Sequence, residues 1–292
     1  MSASVRPLGS AVGNQPQAGT RAELAAFPRL HSDGGAVRAG VCVQSGTGLW
    51  VTLGIPALVL AFLFSIAMSY GMALIFLPVG LLIGHLRSAR VMARLQGSHL
   101  EVGARQFPEI HQCVQTYARR LGLREVPRVF IVEASEMNAF AFRLGSRKVV
   151  TLVDDVVWGA LSVERPGALQ FIIGHELAHH ALGHTSLFRL ALSRVVKPLS
   201  RLDELSADAT ALQLLGNREA ATDGMLMLTI GPQLMPYVDR DALLRQASEV
   251  AENKLSKKAE AGLTHPLALR RLAALQAAEV HVPTGGKPQL AR

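Results

Sequence analysis

The sequence predicts an α+β protein with a mainly helical domain, a small β-sheet and a transmembrane helical hairpin in front of that domain. Three features of the 292 residues support this prediction. Residues 49–86 contain no Asp, Glu, Lys or Arg. Several segments after residue 108 repeat apolar residues at helical spacing, and three short β-prone runs lie between residues 127 and 153.

The first 46 residues are rich in Gly, Ala, Ser, Gln and Pro and show no sustained periodicity. The sequence therefore predicts a disordered tail over residues 1–46. Arg6 and Arg21, with no acidic residue before Glu23, also resemble an organellar transit peptide, which is the alternative to a plain flexible tail. A second disordered tail is predicted over residues 281–292.

The transmembrane hairpin is predicted over residues 47–86. A single helix across the uncharged stretch would be about 55 Å long, whereas the hydrocarbon core of a bilayer is about 30 Å thick. Two spans near residues 49–67 and 71–86 fit better, with a turn at Ser69–Gly71. The alternative is a helical hairpin that is buried in a large core.

Basic residues lie on both sides of the hairpin, and its turn carries no charge. Segments rich in Lys and Arg that flank a membrane span usually stay on the cytoplasmic side, so both ends of the hairpin are expected to face the cytoplasm. The sequence thus predicts a multi-pass protein of the cell inner membrane with a cytoplasmic catalytic domain. The basic residues are Arg29 and Arg38 before the hairpin, and Arg87, Arg90 and Arg94 after it.

The rest of the chain predicts a connector helix over residues 87–107 and a domain over residues 108–280. Ser162 is a candidate N-cap for a helix that runs to about residue 182, and Ser200 with Asp203 resembles a capping box. Residues 253–262 are predicted to be a basic loop. The other expected elements are a helix from 108 to 122, strands at 127–133, 138–142 and 148–153, and helices at 218–230, 239–252 and 266–279.

The composition excludes some classes of partner. The chain has 30 Lys and Arg against 22 Asp and Glu, a net charge of +8. Nucleic acid is not expected as a partner, because the basic residues are scattered and an aromatic content of 5% offers no stacking platform. Attraction to anionic lipid explains the charge more simply. Cys42 and Cys113 indicate neither a disulfide framework nor a cysteine metal site.

A metal-binding pattern lies in residues 171–184, FIIGHELAHHALGH, where His175, Glu176 and His179 follow the order H-E-x-x-H. Residues four apart share one face of a helix, so both imidazoles can bind one metal ion with Glu176 beside it as the general base. The apolar residues around them indicate a buried helix, on which a His-Glu pair is costly without a ligand. The pattern predicts a hydrolase with one zinc ion.

A catalytic zinc ion needs a third protein ligand and an open position for water. In SRLDELSADAT, residues 200–210, Glu204 and Asp208 are four apart, so both carboxylates lie on one face of a second helix. We expect Glu204 to bind zinc and Asp208 to orient a ligand histidine through its other ring nitrogen. His184 is the alternative third ligand, although it misses by one residue the metzincin position, which is Thr185.

Four segments carry a family resemblance. GHELAHHALGH, SRLDELSAD and LTHPLALRRL resemble the membrane-associated gluzincin peptidases, the family of the HtpX-type quality-control proteases and the CaaX prenyl proteases. NAFAF at residues 138–142 resembles the Asn-Ala-Phe segment of that family. The motifs cover residues 108–275 in the order that the family has, and they imply a zincin-like metallopeptidase domain.

The resemblance also implies roles for residues outside the metal site. One of the runs at residues 138–142 and 148–153 would be an edge strand that a substrate peptide joins by β-augmentation. Asn138, Ala139 and Phe140 would bind substrate, although Asn138 could equally be a plain sheet residue. His265 would approach the substrate carbonyl and stabilise the oxyanion, unless it only begins the last helix. Arg201 would position substrate or pair with an acidic residue, and its alternative is a surface arginine.

Residues 186–199 depart from the HtpX-type members, which have a second membrane hairpin at this place. The segment is amphipathic, and it is too short and too charged to span a bilayer. It is expected either to lie on the membrane surface or to pack within the domain.

Together these features predict a membrane-anchored zinc endopeptidase for the quality control or processing of membrane proteins. Its expected partners are protein or peptide substrates and the lipid bilayer. Prenylated peptides are less expected, because two spans cannot build the large chamber of the CaaX enzymes. The alternative is a non-catalytic, membrane-anchored binding or chaperone module on the same scaffold. No feature of the sequence specifically indicates this alternative.

Overall fold

The computed structural model describes residues 35–134 and 138–279. The predicted tail at residues 281–292 and most of the predicted tail at residues 1–46 lie outside the described residues. The described part is mostly helical with one small mixed sheet, which confirms the predicted fold class. The helices are α1 (Thr47–Met68), α2 (Met72–Ser98), α3 (Pro108–Arg120), α4 (Asp154–Ser162), α5 (Pro166–Ala181), α6 (Leu187–Val195), α7 (Lys197–Leu215), α8 (Arg218–Ile230), α9 (Arg240–Glu252), α10 (Lys254–Ala259) and α11 (Ala268–Ala277).

The sheet has four strands in the order β1-β2-β4-β3. The central strands β2 and β4 are parallel, and the two outer strands run antiparallel to them. Among the strands of the described residues, β3 pairs only with β4 and forms an edge of the sheet. The strands are β1 (Leu100–Glu101), β2 (Arg128–Val132), β3 (Ala139–Leu144) and β4 (Arg147–Val153).

Helix α5 runs through the centre of the domain and is buried on nearly every side from Ala168 to Ala178. It packs against α7, α8, α3 and the edge strand β3. Gly174 allows the close approach of α7 because a Cβ atom there would lie 3.4 Å from the backbone of Ala211 and from the ring of Tyr117. The helix that carries H-E-x-x-H is thus held from several directions at once.

Helices α1 and α2 form a hairpin whose turn lies at residues 69–71, as predicted. Both are long and apolar enough to cross a membrane, judged by length and composition. Most of their large apolar side chains are exposed within the described part of the chain; Leu60 and Phe64, for example, are 66% and 67% exposed. The alternative of a hairpin buried in a large core is therefore wrong.

The hairpin is joined to the domain at both ends. Met92 and Leu95 at the end of α2 pack on Phe130 and Val149 of the sheet. Helix α2 ends at Ser98, after which β1 begins, so the predicted connector helix over residues 87–107 is helical only in its first half.

Residues 35–46 differ from the predicted tail because they lie against the domain. The amide of Val37 donates to the carbonyl of Arg120 at 2.8 Å, and the amide of Gln44 donates to the Ser206 hydroxyl at 3.1 Å. A short 3-10 turn follows at Ala39–Cys42. Backbone amides donate both of these hydrogen bonds, and the composition and periodicity of the side chains do not show them.

Three local expectations from the sequence are wrong. Ser162 ends helix α4 instead of capping the next helix, which begins at Pro166, a residue suited to the first helical turn. The capping box at Ser200 is absent because α7 already begins at Lys197. The predicted basic loop contains helix α10, which Asn253 caps through its side chain.

Candidate metal centre

The metal-binding pattern of α5 faces the middle of helix α7. His175 and His179 lie one turn apart, and their Nε2 atoms are 3.1 Å from each other. Glu204 on α7 completes the group, with carboxylate oxygens 3.6 Å from Nε2 of His175 and 3.5 Å from Nε2 of His179. The two imidazoles and the carboxylate thus converge on one point.

The spacing of these three ligand atoms suits a zinc ion. Bonds of 2.0–2.1 Å in a tetrahedral arrangement place neighbouring ligand atoms about 3.3 Å apart. The three distances in this group, 3.1, 3.5 and 3.6 Å, lie on either side of that value. Two imidazole nitrogens and one carboxylate are also a ligand set that catalytic zinc ions use. The residues therefore fit a single zinc ion with an open position.

Asp208 lies one turn after Glu204 and contacts the other nitrogen of His175, with 2.9 Å between Nδ1 and Oδ1. The guanidinium of Arg271 on α11 donates two hydrogen bonds of 2.7 Å to the same carboxylate. Burial alone would raise the pKa of Asp208, but the Arg271 guanidinium lowers it to about 2. Asp208 is therefore an anion on the Nδ1 side of His175, and Nε2 of the same ring faces Glu204.

The contacts of His175 change the pKa of its imidazole ring. Burial lowers the pKa of the ring, but the contacts with Asp208 and Glu204 outweigh burial and raise it to about 10. An imidazole binds metal only in its neutral form. A metal ion at Nε2 of His175 and a proton on the same nitrogen therefore exclude each other.

His179 has an equivalent partner, which is His184. Their Nδ1 atoms are 3.0 Å apart, and Nε2 of His184 lies 3.3 Å from Oδ1 of Asp203. Burial lowers the pKa of His179 to about 3 and that of His184 to about 2, so both rings are neutral. If Nε2 of His179 is to bind a metal, the proton of this ring lies on Nδ1 and points to Nδ1 of His184, whose own proton then lies on Nε2 and faces Asp203. The Nε2 lone pair of His179 then faces the metal site.

Glu176 is buried beside the three ligands. Burial raises the pKa of its carboxyl to about 7, within the range in which a group accepts and releases protons at neutral pH. The amide of Ala141 in β3 donates a hydrogen bond to this carboxylate. The general-base candidate thus lies against the edge strand of the sheet.

Comparison with known families decides the identity of the domain. The model of Peptidase family M48 matches residues 104–195 and 185–279, two overlapping segments that together cover more than half of the chain. The chain belongs to Peptidase family M48. The comparison with curated proteins finds no significant match, and neither does the comparison with solved structures. This is a family of zinc metallopeptidases, so the predicted resemblance and enzyme class are confirmed.

His265 comes close to the metal site of this M48 peptidase. Its Nδ1 atom lies 3.3 Å from Oε2 of Glu204, and that contact raises its pKa. Its side chain is 64% exposed, so the ring can also reach a bound molecule. The proposed role in oxyanion stabilisation stays a prediction.

Among residues 35–134 and 138–279, Arg201 does not pair with an acidic side chain. Its Nη1 atom donates to the carbonyl oxygens of Glu260 at 2.8 Å and Leu263 at 3.0 Å. These carbonyls belong to the loop that leads to His265. The contacts indicate that Arg201 holds this loop, while its predicted contact with substrate stays untested.

The segment from Asn138 to Phe140 opens the edge strand β3. The carbonyl of Asn138 accepts from the amide of Val153, and its side chain accepts from the amide of Ala139 at 2.9 Å. Ala139 is buried, whereas Phe140 is 50% exposed. The structure thus places the predicted substrate-binding residues on the strand next to Glu176.

Sequence reasoning missed two groups at this centre. Arg271 lies in the quoted motif LTHPLALRRL, but nothing in its spacing shows that it reaches both Asp208 and, at 3.2 Å, Glu204. The sequence suggests His184 only as an alternative metal ligand, whereas the structure places it behind His179. His180, the other histidine of the motif helix, is buried and contacts the carbonyl of Val149 in β4 at 3.0 Å.

Proposed function

We propose that this M48 peptidase is a membrane-anchored zinc endopeptidase that hydrolyses peptide bonds of membrane proteins in quality control or processing. His175, His179 and Glu204 would hold the zinc ion, and Glu176 would act as the general base. The observation that carries the proposal is the convergence of two Nε2 atoms and one carboxylate within 3.6 Å of each other, beside a buried glutamate.

A zinc ion in this site would supply an acidified water molecule and a Lewis acid for the substrate carbonyl. The residues of the chain perform the proton transfers. Glu176 takes a proton from the attacking water and delivers it to the leaving amine. His265 would donate a hydrogen bond to the oxygen of the scissile carbonyl. Asp208 and His184 keep the two ligand imidazoles in the tautomer that exposes Nε2.

The edge strand β3 offers a place for an extended peptide. Because the Asn138 carbonyl bonds to β4, the alternation of an antiparallel ladder turns the backbone groups of Ala139, Ala141 and Arg143 away from β4. Ala141 gives its amide to Glu176. A peptide that pairs with Ala139 and Arg143 would pass over the general base, and main-chain hydrogen bonds would supply its affinity.

The exposed apolar surface of α1 and α2 supports the membrane anchor. We assign residues 47–86 to the transmembrane hairpin and residues 108–280 to the peptidase domain. The positive charges on both flanks favour a cytoplasmic domain of a cell inner membrane protein. Such an anchor keeps the active site near the bilayer, where membrane-protein segments are available as substrates.

The proposal is tested by cleavage of unfolded casein with the full chain in lipid nanodiscs. We expect cleavage within the chain of the substrate, loss of activity with 1,10-phenanthroline, and recovery when zinc is added back. Cleavage that resists the chelator would contradict the zinc mechanism. Zinc binding without cleavage of casein or of any membrane-protein substrate would favour the non-catalytic module.

The His184→Ala variant tests the chain behind His179. We expect its zinc affinity to fall by about 10–100-fold, because groups that orient metal-binding histidines have effects of this size. His180→Ala is the matched control, since His180 is buried nearby but faces β4; it should lower thermal stability and leave zinc affinity unchanged. A chelator competition titration measures both. Unchanged affinity in His184→Ala would contradict the orienting role.

A further inference from the structure

Helix α6 has an inverted distribution of polar and apolar side chains. Its outward face carries four large apolar residues, of which Leu187 is 72% exposed and Phe188 and Val195 are each 53% exposed. Leu190 is 44% exposed. A surface helix of a soluble domain places such residues inward and charged residues outward. An apolar outward face therefore indicates a surrounding other than water.

The inward face of the same helix carries polar groups. Arg189 binds the carboxylate of Asp203 with hydrogen bonds of 3.1 and 2.5 Å, and the Ser193 hydroxyl donates to it at 3.2 Å. This is the carboxylate that contacts His184. The orientation of α6 is thus fixed by buried polar contacts, so its apolar side chains cannot turn inward without breaking an ion pair.

The position of α6 along the membrane hairpin is fixed as well. Leu192 and Val196 pack with Trp50, Val51 and Leu58 of α1. These residues of α1 lie about 5–16 Å along the helix from its first residue, at 1.5 Å per residue.

Gly54 makes the contact between the two helices close. A Cβ atom at this position would lie 2.7 Å from Cδ1 of Leu192 and 2.9 Å from Cγ2 of Val196. Helix α6 therefore lies directly beside the first turns of α1, at the depth where a span enters the bilayer.

We propose that α6 is an interfacial helix that lies in the surface of the lipid bilayer beside α1, with its outward face among the acyl chains. This rests on the proposed membrane anchor. The bilayer is the occupant that fits, because the outward face of α6 continues the exposed apolar surface of α1 at the same depth. Arg194 lies on this outward side and can extend its guanidinium to the headgroup phosphates. Interfacial helices lie about 5–10 Å into the headgroup and acyl boundary.

The test uses nitroxide spin labels on single cysteines in the full chain, in nanodiscs of phosphatidylcholine and phosphatidylglycerol. The background carries Cys42→Ser, and Cys113 stays because it is buried. The test variant is Phe188→Cys. The control for lipid is Leu63→Cys in α1, and the control for water is Tyr237→Cys, a position that is 84% exposed on the domain. Collision with oxygen reports lipid, and collision with a nickel chelate reports water.

We expect the ratio of oxygen to nickel collisions at Phe188 to exceed that at Tyr237 severalfold and to lie below that at Leu63. A nickel-accessible label at Phe188 together with a lipid-embedded label at Leu63 would overturn the proposal while the anchor stands. A water-exposed label at Leu63 would instead overturn the membrane anchor itself. Shielding of Phe188 from both reagents with spin-spin broadening would show a second copy of the chain on this face, which also overturns the proposal.

Discussion

Glu176→Gln is expected to lower peptide cleavage by about 10²–10⁴-fold, because the variant cannot take the proton of the attacking water. The amide oxygen of Gln can still accept the hydrogen bond from Ala141, so the fold and the edge strand should be preserved. Zinc content and insertion into nanodiscs should be unchanged. The measurement is the rate of casein cleavage at saturating zinc, with the zinc content of the same sample.

Glu219→Gln is a suitable control for this experiment. Glu219 is a 66% exposed side chain on α8 that pairs with Arg240, away from the metal centre. The Glu219→Gln variant should cleave casein at the rate of the parent protein. If Glu176→Gln kept the parental rate with full zinc occupancy, Glu176 would not be the general base.

Glu204→Ala is expected to abolish both zinc binding and cleavage. The substitution removes one of three ligands and leaves two imidazoles from one helix, which is too few for a stable zinc site. It also removes the partner of His265 and one of the two carboxylates beside Arg271. Zinc per protein after dialysis should fall from one equivalent to near zero.

The control for Glu204→Ala is a buried carboxylate outside the centre. Asp223 is buried on α8 and binds Arg240 and Arg165. Asp223→Asn should lower thermal stability but retain zinc. If Glu204→Ala retained one zinc equivalent, the third ligand would be another group, and His184 would be the first candidate.

The residues that the sequence identified are those whose placement depends on one helix. His175, Glu176 and His179 follow from a spacing of four on α5, and Glu204 and Asp208 follow from the same spacing on α7. Helical geometry fixes each of these pairs whatever the rest of the chain does. Only the packing of α5 against α7 had to be learned from the structure.

The contacts that the sequence could not show depend on elements far apart in the chain. Arg271 reaches Asp208 across 63 residues, and Arg201 reaches the carbonyl of Glu260 across 59 residues. The side of α6 that faces inward is likewise set by Asp203 and by Gly54. Periodicity shows that α6 is amphipathic, but only tertiary contacts show which of its faces is covered.

X-ray absorption at the zinc K-edge of the purified full chain measures the ligands directly. The ligand set proposed above predicts one zinc ion with two imidazole nitrogens and oxygen ligands at about 2.0–2.1 Å. A spectrum that requires three imidazoles or a sulfur ligand would contradict it.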